Sequence, residues 1–291
     1  MKRALRQGFT LLELLLAAGI TLLLLGLIAQ GLRSSSDTSR YIQTSQSALE
    51  DLRFAGNFVS DYLSTAVFIY PKGITLTLNS GCESYTVCNP LTNSNKWTIG
   101  TDPIIAAILP PEDSSITCAD SSTGKRGCYR FFAAYTLSRG KVVEAASGAE
   151  NPGPDPINND KWTLYVNLKY LSDPKEQKDF QDNEISFTPP NPKIPVKLTN
   201  TQGNLLADYI KAGDGLSVSF ERCLDFSGGD IASLSSCSNV PPANLSIYTS
   251  AARVRFSLSG QITSGSKTHT FPGPTQPLVF QVGARNLSMR K

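Results

Sequence analysis

Between Phe9 and Leu32 the chain runs for 24 residues with one formal charge, Glu13. A helix needs about 20 predominantly apolar residues to cross a bilayer, so this run is long enough to span. Lys2, Arg3 and Arg6 precede it, and the positive-inside rule places that end in the cytoplasm and the remainder of the chain outside. A secretory signal peptide shares the basic start, but its apolar region is about 7–15 residues long and closes on a small-residue cleavage site. An ionised side chain at a bilayer centre costs about 2.5–3.5 kcal/mol on insertion scales. Glu13 therefore needs either a place near the headgroups or a partner.

The 291 residues include 18 % charged and 40 % hydrophobic ones, which describes a globular protein with a membrane-compatible end. The net charge of +3 comes from 27 basic against 24 acidic residues, and it vanishes without Lys2, Arg3 and Arg6. Composition thus gives no general signal for nucleic acid. Six cysteines, Cys82, Cys88, Cys118, Cys128, Cys223 and Cys237, all follow the apolar run, as suits disulfides in an oxidising compartment. Six cysteines allow 15 connectivities. They fall as three close neighbours enclosing 5, 9 and 13 residues, so sequential pairing is expected. No C-x-x-C spacing accompanies them and the one histidine, His269, is remote, which disfavours zinc.

After the polar stretch "RSSSDTSR", Ile42, Ser45, Leu49, Leu52, Gly56, Val59, Leu63 and Ala66 recur at three- or four-residue spacing. That period predicts an amphipathic helix. Joined to the apolar run, it gives one helix over 9–66, about 87 Å long, with Gly26, Gly31 and the serines as places for a bend. Beyond it the pattern changes to short strands. Candidates are 74–78, 104–109, 129–138, 162–171, 216–223, 252–260 and 278–286, with apolar and polar residues alternating most clearly at Val254, Phe256 and Leu258. The expected fold is α+β, with a long helix packed on a half-buried antiparallel sheet. "NPGPDP" and "TPPNPKIP" read as surface-loop insertions near 151–161 and 188–195 within one head over 67–291.

The run from Gly8 through "FTLLEL" resembles the cleavage and assembly signature of type IV pilin-like proteins. The resemblance implies a leader, 1–8, removed by a prepilin peptidase after Gly8, and N-methylation of the new terminus at Phe9. It assigns Glu13 to assembly. The new ammonium on one subunit would neutralise Glu13 of its neighbour, turning a costly charge into a register device. The final strands, with Arg285 and Asn286, are similar to minor pilins of the PilW type and to J-type pseudopilins. The expected function is a non-enzymatic minor pilin or pseudopilin that joins or primes a filament. Its partners would be the major pilin, other minor pilins or pseudopilins, and the inner-membrane assembly platform. The precursor would sit in the inner membrane with a periplasmic head. A type II secretion pseudopilus subunit and a membrane-anchored adhesin are the alternatives.

Signals for chemistry are weak. "GQITSGSKT" (260–268) lacks the Gly-Lys pair of a phosphate loop and reads as a surface hairpin. Ser264 and Lys267 fit S-x-x-K without companion motifs, and His269 reads as an exposed loop residue. Asp225 and Asp230 around two glycines are a calcium candidate, although two carboxylates are too few for an EF-hand loop. No cofactor is expected. DNA is a candidate partner through Arg253, Arg255, Lys267, Arg285, Arg290 and Lys291, set against the plainer reading of a solvated strand face.

Overall fold

The computed structural model describes residues 11–79, 81–82, 87–172, 197–198, 203–225, 232–234, 249–265 and 267–285. The protein is α+β. Helix α1 covers Leu11–Thr65 and a short α2 covers Arg139–Ala145. The strands are β1 (Phe68–Ile69), β2 (Thr75–Leu78), β3 (Lys96–Thr98), β4 (Ile104–Leu109), β5 (Arg130–Ser138), β6 (Trp162–Tyr170) and β7 (Lys197–Leu198). They continue with β8 (Gly203–Ile210), β9 (Leu216–Asp225), β10 (Ala232–Leu234), β11 (Thr249–Leu258), β12 (Gly260–Ser264), β13 (Lys267–Phe271) and β14 (Leu278–Gly283). The chain divides into two compact units, Met1–Ser47 and Ala48–Lys291, and each is described by itself.

In the larger unit a seven-stranded sheet runs β1-β4-β5-β6-β8-β12-β13, beside a four-stranded sheet β10-β9-β11-β14 and a small sheet β3-β2-β7. Every pairing is antiparallel except β2 with β7. The half-buried alternation expected at 254–258 is present in β11, whereas β4 and β5 are buried on both faces. Two-residue periodicity sorts their side chains. Ile105, Ala134 and Val166 stand in one row and join the core of Leu52, Ala55, Val59 and Leu63 from α1. Ile104, Tyr135 and Tyr165 stand in the next row and join a second core with Leu76, Leu78, Trp97 and Val142. Trp97 meets Tyr135 edge-on at 5.3 Å and donates its indole N–H to Val87 O, which seats the small sheet on that second face.

On α1, burial begins at Ala48, so the expected stripe is correct at Leu52, Val59, Leu63 and Ala66 but fails at Ile42, which is exposed. Tyr62 stacks on Phe132 of β5 at 5.0 Å. A glycine inside a helix costs about 1 kcal/mol relative to alanine, so Gly56 requires a reason. The ring of Phe280, from β14, fills the space a Cβ at Gly56 would occupy, and that ring is itself stacked on Phe256 at 5.1 Å. Gly56→Ala gains helix propensity but forces two stacked rings to shift, and overpacking costs about 1–3 kcal/mol. The expected result is a net loss of about 1 kcal/mol, read as a lower denaturant midpoint with an unchanged slope. An increase in the midpoint would refute the packing argument.

The hairpin expected around Ser264 is present: β12 and β13 pair from Gly260↔Phe271 to Ser264↔Lys267, with Gly265 at φ 60° in the turn. His269 is corrected from loop to strand, half-buried in β13 opposite Ile262. The loop at 151–161 is less detached than its proline content suggests, because Asn158 is buried. Residues 188–195 lie outside the described residues.

Candidate functional site

Among the described residues, the longest uninterrupted apolar surface is helical. Leu14–Leu32 has a mean hydropathy of 2.2 over 19 residues, none of it buried. At about 1.5 Å per residue that length matches a hydrocarbon core about 30 Å thick. Leu14, Leu22, Leu23 and Leu27 are each about two-thirds exposed, an arrangement unsuited to water. Thr21, inside the run, donates its hydroxyl to Ala17 O at 2.8 Å, so its polar group is satisfied by its own helix. The segment has the form shared by a membrane anchor and a signal sequence. Gly8 and Phe9 lie outside the described residues, as does the side chain of Glu13, although its backbone is within α1.

The most elaborate polar cluster surrounds Arg139, which is 1 % exposed. Its origin is an irregularity in β8. Trp162 of β6 pairs with Ile210 but Leu164 pairs with Ala207, so Asp208 and Tyr209 together face Thr163. Two residues opposite one is a bulge, and Tyr209 adopts φ 56° there. The bulge delivers the Asp208 carboxylate to Arg139, whose Nε donates to both oxygens at 3.0 and 3.1 Å. Nη1 donates to Asp155 O and Asn159 Oδ1, and Nη2 donates to Gly153 O. The guanidinium carbon lies 5.0 Å from the centre of the Tyr209 ring.

Burial raises the Asp208 carboxyl above its ordinary value, with Arg139 and the Tyr209 N–H opposing that rise. Burial and the nearby Asp208 and Asp155 push the Tyr209 phenol up to about 12. The Tyr209 hydroxyl keeps its proton and donates a hydrogen bond to Asp155 Oδ2 at 3.1 Å. Asn158 completes the cluster. Its amide donates to Asp155 Oδ2 and Thr263 O and accepts from Thr263 N, imitating a strand beside β12. With its partners engaged, this cluster clasps the 151–161 loop to the sheet.

A cleft of about 160 Å³ lies between Gly100–Pro103 and Gly213–Val218. Both of its carboxylates are engaged, Asp102 by the Thr98 N–H at 2.5 Å and Asp214 by Lys211 at 2.8 Å. Ser264 and Lys267 are register partners at the turn end of the hairpin. Among the described residues no three His, Cys, Asp or Glu side chains could hold one metal ion. Asp225 ends β9, and Asp230 lies outside the described residues.

Cys82 is bonded to Cys88 and Cys118 to Cys128, the sequential pairing expected from their spacing. Cys223 is also disulfide-bonded, and its expected partner, Cys237, lies outside the described residues. Arg253 and Arg255 are exposed on one face of β11. Sequence reasoning missed the Arg139–Asp208 clasp. An aspartate interrupting the apolar "NLLADYI" was its one visible signal.

Comparison with family models, with curated proteins and with solved structures finds no match to this chain.

Proposed function

We propose that this chain is a non-enzymatic minor pilin or pseudopilin, anchored through its apolar helix and incorporated into a type IV pilus-like filament. The observation that carries the reading is the register of Gly8, Phe9 and Glu13 against a wholly exposed apolar helical segment, Leu14–Leu32. A plain anchor has no use for a carboxylate four residues after a glycine-phenylalanine junction; a helix that must match a neighbour's terminus does. The disulfides suit a head outside the cytoplasm. In this reading a prepilin peptidase and the inner-membrane platform handle the precursor, and the major pilin and other minor subunits are its neighbours.

The mature protein is expected to begin at Phe9 with a methylated amine. Intact mass and terminal sequencing of protein from a peptidase-competent host decide it. A terminus still at Met1, or one near Gly31, would remove the basis of the proposal.

A further inference from the structure

The four-stranded sheet ends in β14, and no described residue pairs with its far side. One bond establishes which backbone groups face that opening. Ala284 N–H donates to Ala252 O at 3.1 Å, directly beyond the Gly283↔Arg253 pair. In an antiparallel ladder hydrogen-bonded and non-bonded pairs alternate, so Val282, Phe280 and Leu278 bond to β11. The N–H and C=O groups of Val279, Gln281 and Gly283 therefore point outward.

Natural sheets blunt such an edge with charge, proline, a bulge or brevity. Leu278–Gly283 has six residues, no charge and no proline, and keeps its register with β11 without a shift. Val279 is 47 % exposed, and Phe280 remains only half-buried despite packing beside Gly56.

Charge identifies the occupant. Arg253 and Arg255 sit on the outer face of β11, opposite Gly283 and Gln281, and neither is within ion-pair distance of a described carboxylate. The nearby Glu221 accepts from the Gln281 amide at 2.6 Å. Gly283 has no side chain, so no side chain on β14 separates Arg253 from a strand added beyond it. Strands lie about 4.8 Å apart, which puts the added backbone two spacings away, within the combined reach of an arginine and a glutamate. Two arginines at alternate positions match acidic residues at alternate positions. A second copy would instead bring its own two arginines to the same face of the joined sheet.

We propose that β14 is the acceptor edge for an extended segment of another protein, apolar on its core side and acidic at alternate residues on its outer side. Such strand addition takes its affinity from backbone hydrogen bonds and its selectivity from side chains. The proposal does not depend on the filament reading, whose test reads the opposite end of the chain.

The experiment uses the full chain in zwitterionic detergent micelles and two labelled, acetylated hexapeptides, one alternating glutamate with valine and one alternating lysine with valine. Fluorescence anisotropy is expected to show binding of the glutamate peptide, weakening as salt rises. The Arg253→Glu, Arg255→Glu double variant is expected to lose at least tenfold for that peptide and to gain affinity for the lysine peptide. Val279→Pro removes an outward N–H without breaking a ladder bond and is expected to abolish binding. Equal binding of both peptides, binding of neither, or binding indifferent to Val279→Pro would overturn the proposal. So would a concentration-dependent dimer that Val279→Pro dissolves, because the occupant would then be a second copy.

Discussion

Arg139→Met is expected to destabilise the head by about 3–5 kcal/mol, the range for breaking a buried pair by removing one partner. The side chain is 1 % exposed, and its loss leaves the Asp208 carboxylate in place without its counter-charge. The pH dependence identifies the cause. Asp208 already titrates above its ordinary 3.8 because burial disfavours its charge. A carboxyl raised in the folded state contributes stability in its protonated form; that contribution is present below the unfolded value and lost as pH rises through the folded one. Removing Arg139 raises the folded value further and widens that window. The variant should therefore be most destabilised near neutral pH and recover part of the loss between about pH 7 and about pH 4. Adding Asp208→Leu removes the stranded charge and should restore much of the stability. Denaturant titrations at the two pH values check this, and a deficit of equal size in the single and double variants would sink the idea.

Glu13→Leu is expected to separate insertion from assembly. It removes the one charge from the apolar run, so membrane insertion stays intact or improves, by up to about 3 kcal/mol on insertion scales. Under the proposed function the same change removes the group that receives a neighbour's new ammonium, and abundance in sheared filaments should fall severalfold while the membrane pool is maintained. Quantitative blotting of the two fractions reads both. Normal abundance of the variant in filaments would make Glu13 an interfacial residue and favour the anchored adhesin.

Seven strands are legible from two signals: runs of apolar or β-branched residues, as in "IIAAIL" and "YRFFAAYTLS", and apolar–polar alternation, as at Val254, Phe256 and Leu258. The two-residue β1 and β7 were not, since two residues carry no period. β8 was missed for a more informative reason. Its bulge puts Ala207 and Ile210 on one core three residues apart, which breaks the alternation that marks a strand. The same bulge creates the Arg139 clasp, so one local departure hid both the strand and the cluster. Ile42 fits the helical period yet is exposed; period describes a face but not whether anything covers it.

The neighbour that closes over Gly56 is Phe280, 224 positions later. Two residues after that strand ends, the Arg285 N–H donates to Ser64 O at 2.9 Å, tying the end of the described chain to the end of the helix. Synthesis proceeds from the other direction. Until β14 has emerged, the helix lacks its last covering strand, and contacts so distant along the chain form slowly because the intervening loop must close first. The nascent head thus waits with an apolar helical face uncovered, which makes it a substrate for whatever holds unfolded chains. A ribosome stalled before Leu278 would leave the whole product in that waiting state.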